Sequence, residues 1–136
     1  MTEVPFFLTL LADAEGKAKQ RDHGLGHLAE AERLMAETED RWAEAELYRV
    51  RGELLRAGHD PAGAERCFSQ GIDIARQQSA KFWELRAAIS LARLWREQGK
   101  RYAARDLLTP TYGWFTEGFD TPVLKEAKAL LDELVS

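Results

Sequence analysis

Several features that would assign this 136-residue chain to a specialised class are scarce or missing. It has a single cysteine, Cys67, so no disulfide can form within the chain, which fits a reducing cytoplasm. Only 4 prolines are present, which leaves room for long helices. Runs rich in Val, Ile and Thr that alternate polar and apolar residues are also missing, so strands have no support. These absences favour an all-α protein.

Membrane and nucleic-acid signals are equally weak. The most apolar N-terminal stretch, residues 5–12, is far shorter than the about 20 apolar residues of a membrane span. No basic residue precedes it and acidic residues follow it, unlike a secretory signal. The chain has 23 acidic and 19 basic residues, so its overall charge does not attract nucleic acid. We therefore expect a cytoplasmic protein that acts on no membrane and does not bind nucleic acid directly.

Apolar residues recur at helical spacing along most of the chain, and proline and glycine mark the ends of the segments. Asp60 and Thr121 each precede a proline, as expected of an N-cap followed by proline at the first helical position. Gly58 and Gly99 stand where a left-handed residue would end a helix. Pro110 should kink or break the helix that contains it. The pattern predicts seven helices, over residues 5–19, 24–38, 41–57, 61–78, 81–98, 101–117 and 122–135.

Residue sizes also repeat at a step of 40 positions. Trp42 and Gly52 align with Phe82 and Ala92, and Ala12 precedes Gly52 by the same step. Small residues at such positions let the two helices of a hairpin approach closely, and a single hairpin cannot bury its apolar face. We therefore predict one domain over residues 1–136, built from three stacked antiparallel hairpins and a C-terminal capping helix. The predicted units cover residues 4–38, 41–78 and 81–117, and the cap covers 122–135.

These residues carry a family resemblance. One predicted helix carries an aromatic residue, Tyr48, followed by a small residue, Gly52. The next predicted helix carries a small, an aromatic and a small residue in turn: Ala64, Phe68 and Gly71. This spacing resembles a tetratricopeptide repeat, which implies a right-handed solenoid of helical hairpins. Three longer runs resemble the C-terminal repeat region of bacterial regulators that carry a cyclase-like or DNA-binding domain and an AAA ATPase module; they are residues 45–55, 83–95 and 112–121. The resemblance implies a protein-binding role in bacterial signalling or transcriptional regulation.

The first helix of each predicted hairpin would line a concave groove. If Gly52 and Ala92 mark the close-packed face, the groove is locally basic. Arginine binds carboxylates with two parallel hydrogen bonds, so a partner protein or an acidic peptide is the predicted ligand. The groove residues would be Glu46, Arg49, Glu53 and Arg56 in one unit and Arg86, Ile89, Arg93 and Arg96 in the next, with Phe6, Thr9 and Asp13 from the first unit.

Two alternatives stand beside this interpretation of the charges and the groove. The charged residues could instead pair along their own helices, as Glu46–Arg49, Arg49–Glu53 and Arg93–Glu97. The groove could also serve a peptide or small-ligand sensor within a larger regulator, rather than a scaffold that binds a partner or an intramolecular segment.

A second candidate surface lies at the N-terminal end. Phe6, Phe7, Leu10 and Leu11 exceed what one partner helix can cover, and an uncovered apolar patch usually marks an interface. We expect this end to mediate homodimerisation or to contact a preceding module.

Catalytic, metal and cofactor signals are weak. Gly24-Leu25-Gly26 lacks the third glycine and the preceding strand of a dinucleotide-binding loop, and the chain has no P-loop. His23 and His27 are spaced to share a metal on one helix face, yet the glycines between them indicate a helix start, which favours solvated histidines. We therefore expect a non-catalytic protein without metal or cofactor.

Overall fold

The computed structural model describes residues 3–135. Over these residues the chain contains seven α-helices and no strand, so the predicted all-α class and helix number are confirmed. The helices are α1 Glu3–Lys17, α2 Arg21–Thr38, α3 Glu44–Ala57, α4 Pro61–Gln77, α5 Lys81–Glu97, α6 Arg101–Gly113 and α7 Pro122–Leu134. None of them is both long and apolar enough to cross a lipid bilayer.

The largest differences from the predicted boundaries lie at the starts of α2 and α3 and at the end of α6. Helix α2 begins at Arg21, so Gly24 and Gly26 lie inside the helix and do not mark its start. Helix α6 continues through Pro110 and ends at Gly113, so the helix does not break at the proline, and the predicted end at residue 117 is wrong. Proline removes one backbone hydrogen bond, and here that loss falls in the last turn, where the helix stops soon afterwards.

The two predicted N-caps behave differently. Asp60 caps α4, because its Oδ1 accepts a hydrogen bond of 3.0 Å from the backbone N–H of Gly63. Thr121 holds the N-cap position of α7 in extended backbone, but its side chain makes no capping bond. The Thr121 hydroxyl donates instead to the Gly118 carbonyl at 2.7 Å.

The helix ends at Gly58 and Gly99 also differ. Gly99 has a φ of +80°, so the predicted left-handed residue after α5 is confirmed. Gly58 has a φ of −86°, and the left-handed residue after α3 is His59, at +65°. The prediction for Gly58 is therefore wrong by one position.

Helix packing follows a regular scheme. Each helix packs on the next in the chain, and α1, α3, α5 and α7 also pack on one another in that order. Within residues 3–135 the even-numbered helices make no contact with one another. The odd-numbered helices therefore form one continuous row.

The residues 40 positions apart that are alike in size are also buried alike. A Cβ atom on Gly52 would lie 2.5 Å from the Phe68 ring, so the absence of a side chain at position 52 lets the ring pack against α3. Equivalent small and large residues are buried in the other helix pairs. The small residues are Ala12, Gly52 and Ala92, and the large residues are Leu28, Phe68 and Leu108.

Candidate functional site

The row of odd-numbered helices borders a cleft of about 490 Å³. Side chains from α1, α3, α5 and α7 line it. Of the eight predicted groove residues on α3 and α5, six line this cleft: Arg49, Glu53, Arg56, Arg86, Ile89 and Arg93. The structure therefore brings six of the eight residues to one cavity, and Glu46 and Arg96 lie outside its lining.

A buried ion-pair cluster joins α3 to α5 beside the cleft. Arg49 Nε and Nη2 donate to the two carboxylate oxygens of Glu46 at 2.8 and 2.9 Å. Arg86 of α5 donates to the same oxygens at 3.3 and 3.1 Å. The side chains of Glu46 and Arg49 are 4% and 9% exposed. Glu46 is therefore the shared acceptor of two arginines from neighbouring helices.

The electrostatics of Glu46 follow from this geometry. Burial acts to raise the pKa of the Glu46 carboxyl group, but the hydrogen bonds and charges of Arg49 and Arg86 outweigh it, so the pKa lies below its ordinary value. Removing one member of such a buried pair leaves an uncompensated charge, which costs about 3–5 kcal/mol. The cluster therefore contributes to the structure of the cleft wall, and its charges are not available to a ligand at low cost.

Arg56 is held at the edge of the cleft by two carboxylates. Its Nε donates to Glu53 of its own helix at 3.0 Å, and its Nη1 donates to Glu97 of α5 at 3.4 Å. Glu53 also accepts a hydrogen bond of 3.4 Å from the Ser90 hydroxyl of α5. Pairing along α3 thus extends to the neighbouring helix. Of the predicted pairs on α3, Glu46–Arg49 is present, and Arg49 Nη1 lies 3.9 Å from Glu53 Oε2.

Arg93 and Arg96 both pair with α7. Arg93 Nη2 donates to Glu126, so the predicted Arg93–Glu97 pair is wrong. The physical reason is that α7 packs on α5 and places a carboxylate beside Arg93, while Glu97 is oriented toward Arg56. Arg96 donates to Glu133 at 2.8 Å and does not line the cleft.

The 40-residue step held a signal for one contact between helices. Glu46, Arg86 and Glu126 are 40 positions apart and alternate in charge, and so do Glu53, Arg93 and Glu133. Of these equivalent residues, Glu46 and Arg86 pair, whereas Arg93 contacts Glu126 and Glu133 contacts Arg96.

The first helix lines the cleft partly with residues other than those expected, namely Gly16 and Lys17. Asp13 lines it, but Thr9 is buried and its hydroxyl donates to the Pro5 carbonyl at 2.8 Å, so Thr9 does not face the cleft. Phe6 packs against Trp42 and Trp83, with ring centroids 5.0 and 6.1 Å apart. These aromatic rings join the N-terminal regions of α1, α3 and α5.

The predicted N-terminal interface is exposed in part. Phe7 is 64% and Leu10 is 48% exposed, while Phe6 and Leu11 are half-buried. The residues 40, 80 and 120 positions after Phe7 and Leu10 are all buried: Leu47, Ala87 and Ala127, and Val50, Ser90 and Leu130. The exposed face of α1 is thus equivalent to the faces that bury in the later odd-numbered helices.

Within residues 3–135, the histidine and cysteine side chains do not line the cleft. His27 Nδ1 lies 2.5 Å from Glu15 Oε1, and His23 is exposed. In residues 3–135 no three histidine, cysteine or carboxylate side chains are grouped to hold a metal ion. Burial raises the pKa of the Cys67 thiol despite the opposing charges of Arg51 and Arg66, which keeps it protonated near neutral pH.

Comparison of the chain with protein-family models, curated proteins and solved structures finds no match.

Proposed function

We propose that this protein is a non-catalytic scaffold of stacked helical hairpins, similar to a tetratricopeptide-repeat solenoid with α7 as its cap. It binds a partner protein, or a segment of its own parent protein, in the cleft along the odd-numbered helices. The cellular setting is bacterial signalling or transcriptional regulation in the cytoplasm. This setting follows from the family resemblance, and the binding role follows from the charge of the cleft.

The charge of the cleft carries the proposal. The chain has a net charge of −4, yet the cleft lining has more basic than acidic residues. The basic residues are Lys17, Arg49, Arg56, Arg86 and Arg93, and the acidic residues are Asp13, Glu53 and Glu126. Glu46 holds Arg49 and Arg86, so the basic groups of the lining that can donate charge-assisted hydrogen bonds to an acidic segment are Lys17, Arg56 and Arg93.

A binding experiment with paired charge variants tests the role of the cleft. The probe is a fluorescent hexaglutamate peptide, and the readout is fluorescence polarisation at fixed ionic strength. Lys17→Gln with Arg93→Gln should weaken binding about 30-fold, because two charge-assisted contacts of about 1 kcal/mol each are lost. Both side chains line the cleft and are at least one-third exposed, so the variant should remain folded.

The matched control is Arg33→Gln with Lys100→Gln. It makes the same change in charge at exposed positions of α2 and the loop before α6, away from the cleft. We expect the control to bind like the unsubstituted protein. If both double variants lose the same affinity, the peptide binds only through the net charge of the protein. If the unsubstituted protein does not bind the peptide, the proposal of an acidic ligand is contradicted.

A sensor function is the second candidate, and the size of the cleft favours it. A volume of about 490 Å³ falls within the range of about 300–1,000 Å³ typical of small-ligand sites. A thermal-melting screen against acidic peptides and nucleotides separates the two functions. Stabilisation by a compact anion, with no effect of peptides, would favour the sensor.

We also propose that the exposed face of α1 associates with a second copy of the chain. Two antiparallel α1 helices related by a two-fold axis would place Phe7 of each copy over Ala14 of the other, with Leu10 at the centre. Phe7, Leu10 and Ala14 are all exposed, and a large residue opposite a small one gives a complementary fit. Burial at the equivalent positions of α3, α5 and α7 supports packing through this face.

A further inference from the structure

We infer that Glu126 is an internal occupant of an anion-binding subsite at Arg93, and that a ligand carboxylate binds by replacing it. This inference rests on the proposed function, and it names the arginine that first receives the ligand. The ligand class is an acidic peptide that presents a side-chain or terminal carboxylate. Glu126 then acts as a built-in competitor for that carboxylate.

The partners of the other cleft arginines show why Arg93 is the available one. Arg49 and Arg86 share the buried carboxylate of Glu46, and a ligand that drew either of them away would leave that charge uncompensated. Arg56 contacts two carboxylates, Glu53 and Glu97, so a ligand carboxylate meets two internal competitors there and only one at Arg93. Exchange is therefore costly at Arg49 and Arg86 and faces more competition at Arg56 than at Arg93.

The Arg93–Glu126 pair differs in exposure and position. The side chains of Arg93 and Glu126 are 36% and 39% exposed, and both line the cleft. An ion pair this accessible to water is weak, because solvent screens its charges and hydrates them when they separate. A ligand carboxylate can therefore take the place of Glu126 with little loss of charge-assisted hydrogen bonding, while the released carboxylate is solvated.

Glu126 lies on α7, the last helix of the row, so replacement of its carboxylate by a ligand could affect how this helix packs. Helix α7 packs on α5 and α6, and its apolar side chains, including Ala127 and Leu130, remain buried against them. Release of the Glu126 side chain therefore does not require α7 to leave the fold. The competition is local, and it sets the affinity of the cleft without a large rearrangement.

The test compares Glu126→Gln with Glu133→Gln by titration with the hexaglutamate probe. Each substitution removes one negative charge from α7 and breaks one ion pair to α5, but the partner of Glu133, Arg96, does not line the cleft. Glu126→Gln should tighten binding about two- to fivefold, which is the strength of a weak surface ion pair. Glu133→Gln should leave the affinity unchanged.

A second comparison assigns the effect to Arg93. In an Arg93→Gln background, Glu126→Gln should no longer tighten binding, because the competition requires the guanidinium. Circular dichroism melts of every variant confirm that the fold is retained. Failure of Glu126→Gln to tighten binding, or equal tightening by both α7 variants, would overturn the inference while binding by the unsubstituted protein still supports the cleft.

The remaining outcomes are also distinct. If neither the unsubstituted protein nor Glu126→Gln binds the peptide, the proposed function fails and the inference fails with it. If only Glu126→Gln binds, both are supported, since the internal carboxylate then blocks the subsite.

Discussion

Alanine at position 52 should destabilise the protein, because its methyl group would overlap the Phe68 ring. The Cβ atom would lie 2.5 and 2.6 Å from two ring carbons, whereas carbon atoms in contact prefer about 3.5–4.0 Å. Phe68 is fully buried, so the ring can move only by displacing its neighbours. Overpacking of this kind costs about 1–3 kcal/mol.

A second effect opposes this cost. Alanine is more favourable than glycine in a helix interior by about 1 kcal/mol. The net destabilisation by Gly52→Ala is therefore about 1 kcal/mol, which lowers the Tm of a chain of this length by about 3–5 °C. Urea unfolding followed by circular dichroism measures the same change as a lower midpoint at constant slope.

The double variant gives the sharper test. Phe68→Leu alone should cost about 1–2 kcal/mol, because it leaves space beside the glycine. Combined with Gly52→Ala it recreates the alanine–leucine combinations of the other two units, Ala12 with Leu28 and Ala92 with Leu108. We expect the two changes to compensate, with a coupling energy of about 1–3 kcal/mol.

Gly26→Ala is the matched control for this cycle. It makes the same substitution inside α2, where no atom lies within 4 Å of the added Cβ, so it should stabilise the protein by about 1 kcal/mol. Additive effects of Gly52→Ala and Phe68→Leu, within about 0.5 kcal/mol, would refute the close packing of α3 on α4.

Two further predictions concern the charge cluster and the end of α1. The pKa of Glu46 lies below its ordinary value of 4.5, so its contribution to stability is present above that pH and is lost as the pH falls through the lowered pKa. Glu46→Gln should lower the free energy of unfolding by about 3 kcal/mol near neutral pH, and the variant should lose less stability than the unsubstituted protein as the pH falls. Urea unfolding at several pH values measures both effects. The same decrease in stability at low pH in both proteins would contradict this prediction. Phe7→Ser with Leu10→Ser should shift the dimer to monomer in light scattering with the helical circular dichroism signal unchanged, and an unchanged mass would contradict the α1 interface.

Arg86 is unsuited to charge reversal as a test of binding. A glutamate at that position would stand beside the buried carboxylate of Glu46, and the loss of stability would hide any effect on the ligand. A substitution at Arg93 avoids this problem, because its partner Glu126 is half-exposed. Ligand binding can then change without a large loss of stability.

Local pattern was sufficient for the helices and for much of the cleft. Apolar residues at helical spacing predict a helix and show which of its faces is buried. The faces that carry Arg49 and Arg86 could be assigned in this way. The ends were less predictable, because a single residue decides them. His59 adopts the left-handed conformation that glycine usually supplies, and Pro110 weakens only the last turn of α6.

The amino-acid order by itself determined an all-α chain of seven helices, a repeat of residue sizes every 40 positions and basic residues on the α3 and α5 faces. Only the tertiary structure decided which carboxylate each arginine meets. Arg93 and Glu126 are 33 positions apart on different helices, and their contact exists because α7 packs on α5. Helix formation depends on neighbours along the chain, whereas ion pairing across helices depends on distances that only packing sets.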